Sequence, residues 1–227
     1  MKILAFDTAN NNVSVAISDD QVILAYIEEP RPSMQAETIV PMIESALQIA
    51  GMSYKELDYL AVTNGPGSFT GIRIGLSVAK AIILSTNIKG ITVSNFEYSY
   101  FRASTQVKNY SKIFVFLNAY RKQLYSQGFN NDGLASKASL INYKQAVDLI
   151  GTAEEGTKIC AGSGVELIYD QIKDNKNIIV LPRFAKVKAL HICRYLATKL
   201  AITQALPFSP IEPLYIRPPD AKLPSQV

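Results

Sequence analysis

A glycine-rich loop that runs into an apolar helix, GPGSFTGIRIGLSVAKA at residues 65–81, is the feature that most constrains what this chain can fold into. Gly65 and Gly67 can take a positive φ on either side of a proline whose φ is fixed, so the loop is tight. Ser68 is a residue type that caps helices, and the free N–H groups at a helix start can bind an anion. A Walker loop would place a lysine directly after its last glycine, but here an isoleucine follows. The loop therefore departs from the standard ATP-binding motif.

The helix predicted over residues 68–86 has too few polar side chains for an ordinary surface helix. Across its middle only three side chains are polar, and they form one narrow stripe: Arg73, Ser77 and Lys80. A surface helix is normally apolar over one face only, little more than about 100° wide. The apolar flanks of this helix need a neighbour, namely at Ile74, Leu76, Ala81 or Ile83. A partner surface is predicted, because a monomer rarely leaves a large apolar patch in water.

Small residues on the same helix would let a second backbone approach closely. Gly71, Gly75 and Ala79 are spaced by four residues and share one face. Two interpretations stay open, one in which this face packs on the protein's own sheet and one in which it meets a partner. In the second, Gly75→Arg would abolish partner binding and leave the fold intact. The candidate interface residues on this helix and the preceding one are Ile39, Met42, Ile43, Gly71, Arg73, Ile74, Gly75, Val78, Ala79 and Ile82.

The order of predicted elements is the same in the two halves of the chain. The first half contains strand KILAF, a hairpin that turns at Asp19 and Asp20, a helix, a strand, the apolar helix, strand GITVS and a weaker helix near 95–109. The second half contains three strands, a helix, a strand, a short helix, a strand and a last helix at 186–203. Each half is therefore βββαβαβα, which predicts an α/β fold with two mixed sheets covered by helices.

The predicted boundary between the two halves lies in the polar stretch RASTQVKNYSK, residues 102–112. Residues 1–108 would form an N-terminal lobe that carries the GPGSFTG motif and the helices predicted to bind a partner. Residues 109–227 would form a smaller C-terminal lobe, whose proline-rich tail 207–227 could pack back on the first lobe.

Composition argues against several kinds of chemistry. The 23 basic and 19 acidic residues give a net charge of only +4, which is less basic than a dedicated nucleic-acid binder. His191, the single histidine, is predicted on the surface, and Cys160 and Cys193 are predicted to be buried thiols. These counts predict no metal site and no nucleophile that relies on a nearby histidine. No leader is recognised and no apolar run approaches the roughly 18 residues of a membrane span, so a cytoplasmic chain is expected.

The glycine motif, with ILAFDTA near the N-terminus, IVPMIESAL and DYLAVTNGPGSFTG, resembles the TsaB (YeaZ) family over nearly all of the first 100 residues. In the second half the resemblance is limited to LNAYRKQLY and IEPLYIR. It implies the two-lobed, ribonuclease H-like fold of the sugar kinase, Hsp70 and actin superfamily. It also implies a bacterial protein that helps to install threonylcarbamoyl on the adenosine beside the anticodon of tRNAs reading ANN codons.

In that family the protein is not the catalyst, so the resemblance implies a binding subunit without catalytic residues or metal. It implies a TsaD-like paralogue that holds the metal and transfers threonylcarbamoyl, and a TsaE-like ATPase that joins the pair. ATP or ADP would belong to those partners, and tRNA would be met through the complex. The same surface could support a homodimer when the chain is alone. Gln35 stands where some family members keep one histidine.

A nucleotide site is the second possibility for the glycine loop. Asp7 and Thr8 resemble the first phosphate loop of the superfamily, although an aspartate that ends a strand is also a common turn former. The nucleotide-binding candidates are Asp7, Thr8, Gly65, Gly67 and Ser68. Family members often have the sequence DAR where this chain has asparagine, alanine and tyrosine at 118–120, which argues against a charged ligand between the lobes. The alternative function is therefore a small-molecule kinase or ATPase of the same superfamily.

Overall fold

The computed structural model of the chain contains two five-stranded mixed sheets, one from each half. It describes residues 1–10, 12–31, 34–153, 155–181, 187–203 and 210–217. The tail predicted at 207–227 is therefore described only over 210–217, and its other residues lie outside the described part of the chain.

The first half forms five strands and three helices, with bounds β1 Lys2–Asp7, β2 Val13–Asp19, β3 Val22–Glu29, α1 Gln35–Ala50, β4 Tyr59–Thr63, α2 Phe69–Thr86, β5 Lys89–Val93 and α3 Asn95–Ser104. The strand order is β3-β2-β1-β4-β5, with β1 at the centre. β1 pairs antiparallel with β2 and parallel with β4. Asp20, with φ 48, turns β2 into β3, which confirms the predicted hairpin. α1 and α2 lie together on one face of this sheet.

The second half repeats this order, with bounds β6 Lys112–Asn118, β7 Gln123–Asn130, β8 Ser139–Asn142, α4 Tyr143–Gly151, β9 Lys158–Ala161, α5 Tyr169–Ile172, β10 Ile178–Leu181 and α6 Ala189–Thr203. A 3-10 turn at Val165–Ile168 leads into α5. Read from the opposite edge, the strand order β8-β7-β6-β9-β10 matches that of the first sheet position by position. The predicted α/β fold with βββαβαβα in each half is confirmed.

The last helix of each half packs on the sheet of the other half. α6 buries Ile192, Cys193 and Leu196 against β1 and β2 of the first sheet. α3 buries Phe96 and Ala103 against β6 and β9 of the second sheet. Because neither sheet is covered by its own helices alone, the two halves are interlocked, and the lobe boundary near residue 108 stays a prediction.

Within the described residues, α2 is the one helix that is long and apolar enough to cross a membrane. The sequence prediction that no segment approaches that length is therefore wrong for α2, because Arg73 and Lys80 are too few to lower the average over 18 residues. A helix that packs on a sheet in a water-soluble protein can be equally long and equally apolar. Of the residues of α2, 28% are buried within this chain, and the others are partly or fully exposed.

Candidate functional site

The glycine loop is attached to the turn that follows β1. Ser68 donates its backbone N–H to the Ala9 carbonyl oxygen at 2.8 Å. Its side-chain oxygen accepts the Gly71 N–H at 3.2 Å, which confirms the predicted helix cap. The Thr8 hydroxyl donates to the Gly71 carbonyl oxygen at 2.7 Å. These hydrogen bonds join the start of α2 to the end of β1, so the loop packs on its own lobe.

The small residues of α2 face this turn rather than a partner. A Cβ atom on Gly71 would lie under 3.0 Å from the Thr8 carbonyl oxygen, and one on Gly75 would lie as close to the Thr8 hydroxyl. Real Cβ atoms do not approach other atoms so closely, so these two positions are filled by the protein itself. Ala79 is fully buried in the same core. The interface assignment of Gly71, Gly75 and Ala79 is therefore wrong, and Gly75→Arg would disrupt the fold instead of testing an interface.

Three interface candidates on α1 are wrong for a related reason. Ile39 and Ile43 are fully buried, and Met42 is almost so, in the core between α1 and the first sheet. Leu76, predicted on an uncovered flank of α2, is buried in the same core. An apolar stripe at helical spacing shows that a face is covered, but it does not identify what covers it.

The outward surface of the two helices nevertheless carries apolar side chains. Val40 is 47% exposed and Phe69 is 56% exposed, although neither was among the predicted interface residues. Of the predicted residues, Arg73 is exposed, whereas Ile74, Val78 and Ile82 are partly buried against the core. A shallow groove runs between α1 and α2, and its lining, together with Val40 one turn beyond Ala36, is called the α1–α2 face: Ala36, Val40, Phe69, Thr70, Arg73, Ile74, Ser77 and Val78.

A sequence signal for the two missed residues existed. Val40 is apolar but lies beside the buried stripe of α1 rather than in it, at about 100° from Ile39 around the helix axis. Phe69 is a large aromatic residue at the first position of α2, directly after its cap. Neither residue belongs to the buried core of the first half, although Phe69 contacts Tyr215 and Arg73 within the chain.

Asp7 ends β1 as a fully buried carboxylate that donors of the same chain surround. The Asn10 amide donates to both carboxylate oxygens at 3.1 and 3.2 Å, and the Ala9 N–H donates at 3.2 Å. The Thr63 hydroxyl makes a short hydrogen bond to one of these oxygens. Burial raises the pKa of Asp7 to about 6, while the hydrogen bonds from Thr63 and Asn10 act to lower it. The hydrogen bond from the Ala9 N–H, two residues after Asp7, is the one that an aspartate makes when it forms a turn. This turn is the alternative to a phosphate loop that the sequence left open.

The residues considered for nucleotide binding do lie together. Gly65 has φ 108 and accepts the Asn95 N–H through its carbonyl oxygen at 2.7 Å. A Cβ atom on Gly67 would lie under 3.0 Å from the Ala9 carbonyl oxygen, so this glycine serves a close approach within the chain. All five candidates make contacts inside the first lobe, and a nucleotide role stays a prediction for Asp7, Thr8, Gly65, Gly67 and Ser68.

The histidine, cysteine and carboxylate side chains of the described residues do not gather into a metal site. Within the ranges that the structure describes, no group of three or more histidine, cysteine, aspartate or glutamate side chains could hold a metal ion. His191 is half buried, with its ring 6.4 Å from that of Tyr98, so it lies only partly at the surface where the sequence predicted it. Cys160 and Cys193 are free and buried, as predicted, and burial raises the pKa of each thiol to about 12.

Replacing Asp7 with asparagine is expected to change how stability depends on pH. The pKa of Asp7 is raised from 3.8 to about 6, so the folded protein holds this proton more tightly than the unfolded chain. Its contribution to stability is therefore full below about pH 4 and is lost as the pH rises through 6, by at most about 3 kcal/mol. The measurement is the free energy of unfolding from urea denaturation, for wild type and Asp7→Asn, between pH 4 and 7.

We expect the difference in the free energy of unfolding, wild type minus Asp7→Asn, to fall from pH 4 to pH 7. His191, whose pKa burial lowers to about 4, acts in the opposite direction over the same range. Because both proteins contain His191, its effect cancels in the difference. A difference that stays flat or rises with pH would contradict the raised pKa of Asp7.

Comparison with known proteins gives the same relationship as the motif. The family model described as TsaD: tRNA N6-adenosine threonylcarbamoyltransferase matches residues 33–159, more than half of the chain. The curated tRNA threonylcarbamoyladenosine biosynthesis protein TsaB of Escherichia coli (strain K12) is 39% identical over 94 residues, covering 41% of this chain and 40% of that protein. The matched part thus spans only about two fifths of that relative's length.

Solved structures extend the likeness to the whole fold. YeaZ from Pseudomonas aeruginosa superposes with a TM-score of 0.76 at 20% identity, covering 94% of this chain and 99% of that one. A ROK hexokinase from Thermus thermophilus has a TM-score of 0.53 at 10% identity, covering 88% of this chain and 98% of that one. At such identities the structures show the fold alone, which is the two-lobed fold of the sugar kinase and actin superfamily. With the family match over residues 33–159 and the motif at 65–81, the chain belongs to the TsaD family and, within it, to the TsaB (YeaZ) proteins.

Proposed function

We propose that this chain is a non-catalytic scaffold subunit of the complex that transfers threonylcarbamoyl to the adenosine beside the anticodon of tRNAs reading ANN codons. It docks through the α1–α2 face onto a TsaD-like catalytic paralogue. The observation that carries this proposal is the exposed apolar surface of α1 and α2, with Val40 and Phe69 about half exposed. Water-exposed apolar side chains on adjacent helices are typical of an interface between proteins.

The chemistry of the complex belongs to the other subunits in this proposal. The TsaD-like subunit holds the metal and carries out the transfer, and a TsaE-like ATPase joins the pair. We propose that no catalytic residue or cofactor is contributed by this chain, that it works in the cytoplasm, and that tRNA is met through the complex. The same α1–α2 face pairs two copies of the chain when the partner is absent.

The proposal is tested by reconstitution with purified TsaD-like and TsaE-like subunits. We expect this chain to elute with the TsaD-like subunit in size-exclusion chromatography and to elute as a dimer alone. Threonylcarbamoyl transfer to tRNA, followed by mass spectrometry of the nucleosides, is expected only when this chain is present. Separate elution of the two subunits, or equal transfer without this chain, would contradict the proposal.

A kinase or ATPase function is the alternative, favoured by the hexokinase-like fold and by Asp7 beside the glycine loop. It is tested by titrating the isolated chain with Mg-ATP in a calorimeter and by measuring ADP formation. We expect no tight binding and no turnover. The Asp7 carboxylate already accepts a hydrogen bond from Asn10, and the Ser68 side-chain oxygen already accepts one from the Gly71 N–H. Tight binding followed by turnover would replace the scaffold proposal with the enzyme.

A further inference from the structure

The C-terminal segment 210–217, called the strap, connects the two halves of the molecule. Leu214 donates its N–H to the Asn64 carbonyl oxygen at 2.8 Å, and the Asn64 amide donates to the Glu212 carbonyl oxygen at 3.2 Å. At its other end, Arg217 donates to the Ala119 carbonyl oxygen at 2.7 Å and to Gln123 Oε1 at 3.0 Å. The strap is therefore held at both ends by hydrogen bonds, to the end of β4 and to the β6–β7 turn.

The middle of the strap places Tyr215 next to the α1–α2 face. The rings of Tyr215 and Phe69 are 5.7 Å apart at an angle of 30°. The Arg73 guanidinium carbon lies 3.8 Å from the centroid of the Phe69 ring, and Arg73 Nε donates to the Tyr215 hydroxyl at 3.0 Å. Tyr215 is 49% exposed, so the cluster of two rings and one cation lies at the surface.

Arg73 is oriented by these contacts without being neutralised by them. A guanidinium has five N–H donors, and the bond to Tyr215 uses only the one on Nε. No carboxylate of the described residues forms an ion pair with Arg73. Among the residues that line the groove, Arg73 is also the only one that carries a charge. The outer edge of the guanidinium is thus a fixed cationic fork on an otherwise neutral, largely apolar surface.

We propose that Phe69 and Tyr215 hold Arg73 as a preformed anchor for a carboxylate of the TsaD-like partner, which makes the strap part of the docking surface. This inference rests on the proposed function. Arginine binds carboxylates through two parallel hydrogen bonds, and fixing its side chain beforehand lowers the entropy lost on binding. The site fits an aspartate or glutamate side chain flanked by apolar residues that fill the groove beside Ile74 and Val78.

Tyr215 acts here as a positioning residue, so its test must separate loss of orientation from loss of contact area. The dissociation constant for the TsaD-like subunit is measured by calorimetry for wild type, Tyr215→Phe, Tyr215→Ala, Arg73→Gln and the Tyr215→Ala/Arg73→Gln double variant. We expect binding to weaken about 3-fold for Tyr215→Phe, which keeps the ring, about 10-fold for Tyr215→Ala and about 30-fold for Arg73→Gln. The double variant should be little weaker than Arg73→Gln, because Tyr215 acts through Arg73.

Salt and a matched surface tyrosine provide the controls. Wild-type binding should weaken as salt is raised from 0.05 to 0.5 M, and this dependence should be smaller for Arg73→Gln. Tyr169→Ala, at a tyrosine of similar exposure (46%) on α5 of the second half, should bind as wild type. Each variant is compared with wild type by thermal unfolding.

The outcomes distinguish this inference from the proposed function. If wild type does not bind the TsaD-like subunit, the proposed function fails and the anchor fails with it. If wild type binds but Tyr215→Ala binds equally well, or the two effects are fully additive, the positioning role of Tyr215 is overturned. If the variants weaken only self-association of the chain, the carboxylate belongs to a second copy and the assignment to the partner is wrong.

Discussion

Replacing Gly71 with alanine is expected to lower the free energy of unfolding by about 3 kcal/mol or more. The new Cβ atom would lie under 3.0 Å from the Thr8 carbonyl oxygen, which belongs to backbone and cannot rotate away. The start of α2 would have to move away from β1, and the hydrogen bond from Thr8 to the Gly71 carbonyl oxygen would be lost as well. Urea denaturation followed by circular dichroism measures the effect.

Gly151→Ala is the matched control for this substitution. Gly151 ends α4, and an added Cβ atom there would meet nothing within 4 Å. The control is expected to be as stable as wild type or more stable by up to about 1 kcal/mol, because alanine restricts the unfolded chain. If Gly71→Ala were as stable as wild type, the turn at Thr8 after β1 would not be what fills the space beside the small residues of α2.

Replacing Val40 with arginine is expected to weaken binding to the TsaD-like subunit at least about 100-fold, which corresponds to about 2.7 kcal/mol. Val40 is 47% exposed on α1, so the fold can accommodate the longer side chain by extending it into water. In a complex that covers the α1–α2 face, the same side chain would be buried as a charge without a partner. Calorimetric titration of the two purified subunits measures the loss.

Leu149→Arg is the control for Val40→Arg. Leu149 is 40% exposed on α4, so it offers a similar aliphatic side chain on a helix of the second half. It should bind as wild type, and both variants should unfold at the wild-type temperature. Unchanged affinity for Val40→Arg, with wild type binding, would place the docking surface elsewhere on the molecule.

Local patterns in the chain were enough to predict most elements and their ends. The cap at Ser68 and the hairpin at Asp20 both depend on residues within four positions of each other. The repeated order βββαβαβα follows from these elements, and with it the fold class. Such features are predictable because short-range hydrogen bonds and side-chain periodicity act before any distant contact is made.

The candidate site was predicted less well, because burial depends on the neighbour as well as on the residue. The sequence identified α1 and α2 as the important pair and included Arg73, which is exposed, and Ile74 and Val78, which are partly exposed. It could not tell the buried side of each helix from the outer one, so Gly71 and Ile39 were assigned to a partner. A four-residue spacing of small side chains is the same whether a partner helix or the Thr8 turn fills the space.

Residue order and residue type by themselves determined that this chain has two similar α/β halves and an α2 too apolar for full exposure to water. Only the tertiary structure decided what covers α2: the turn at Thr8 on its small face, Ile211 of the strap near Ile83, and Tyr215 beside Phe69, which stays 56% exposed. It also brought Tyr215 to Arg73, although 142 positions separate them in the chain. Contacts of this range arise when two sheets, two crossing helices and a strap pack together, and no local pattern records which distant segments will meet.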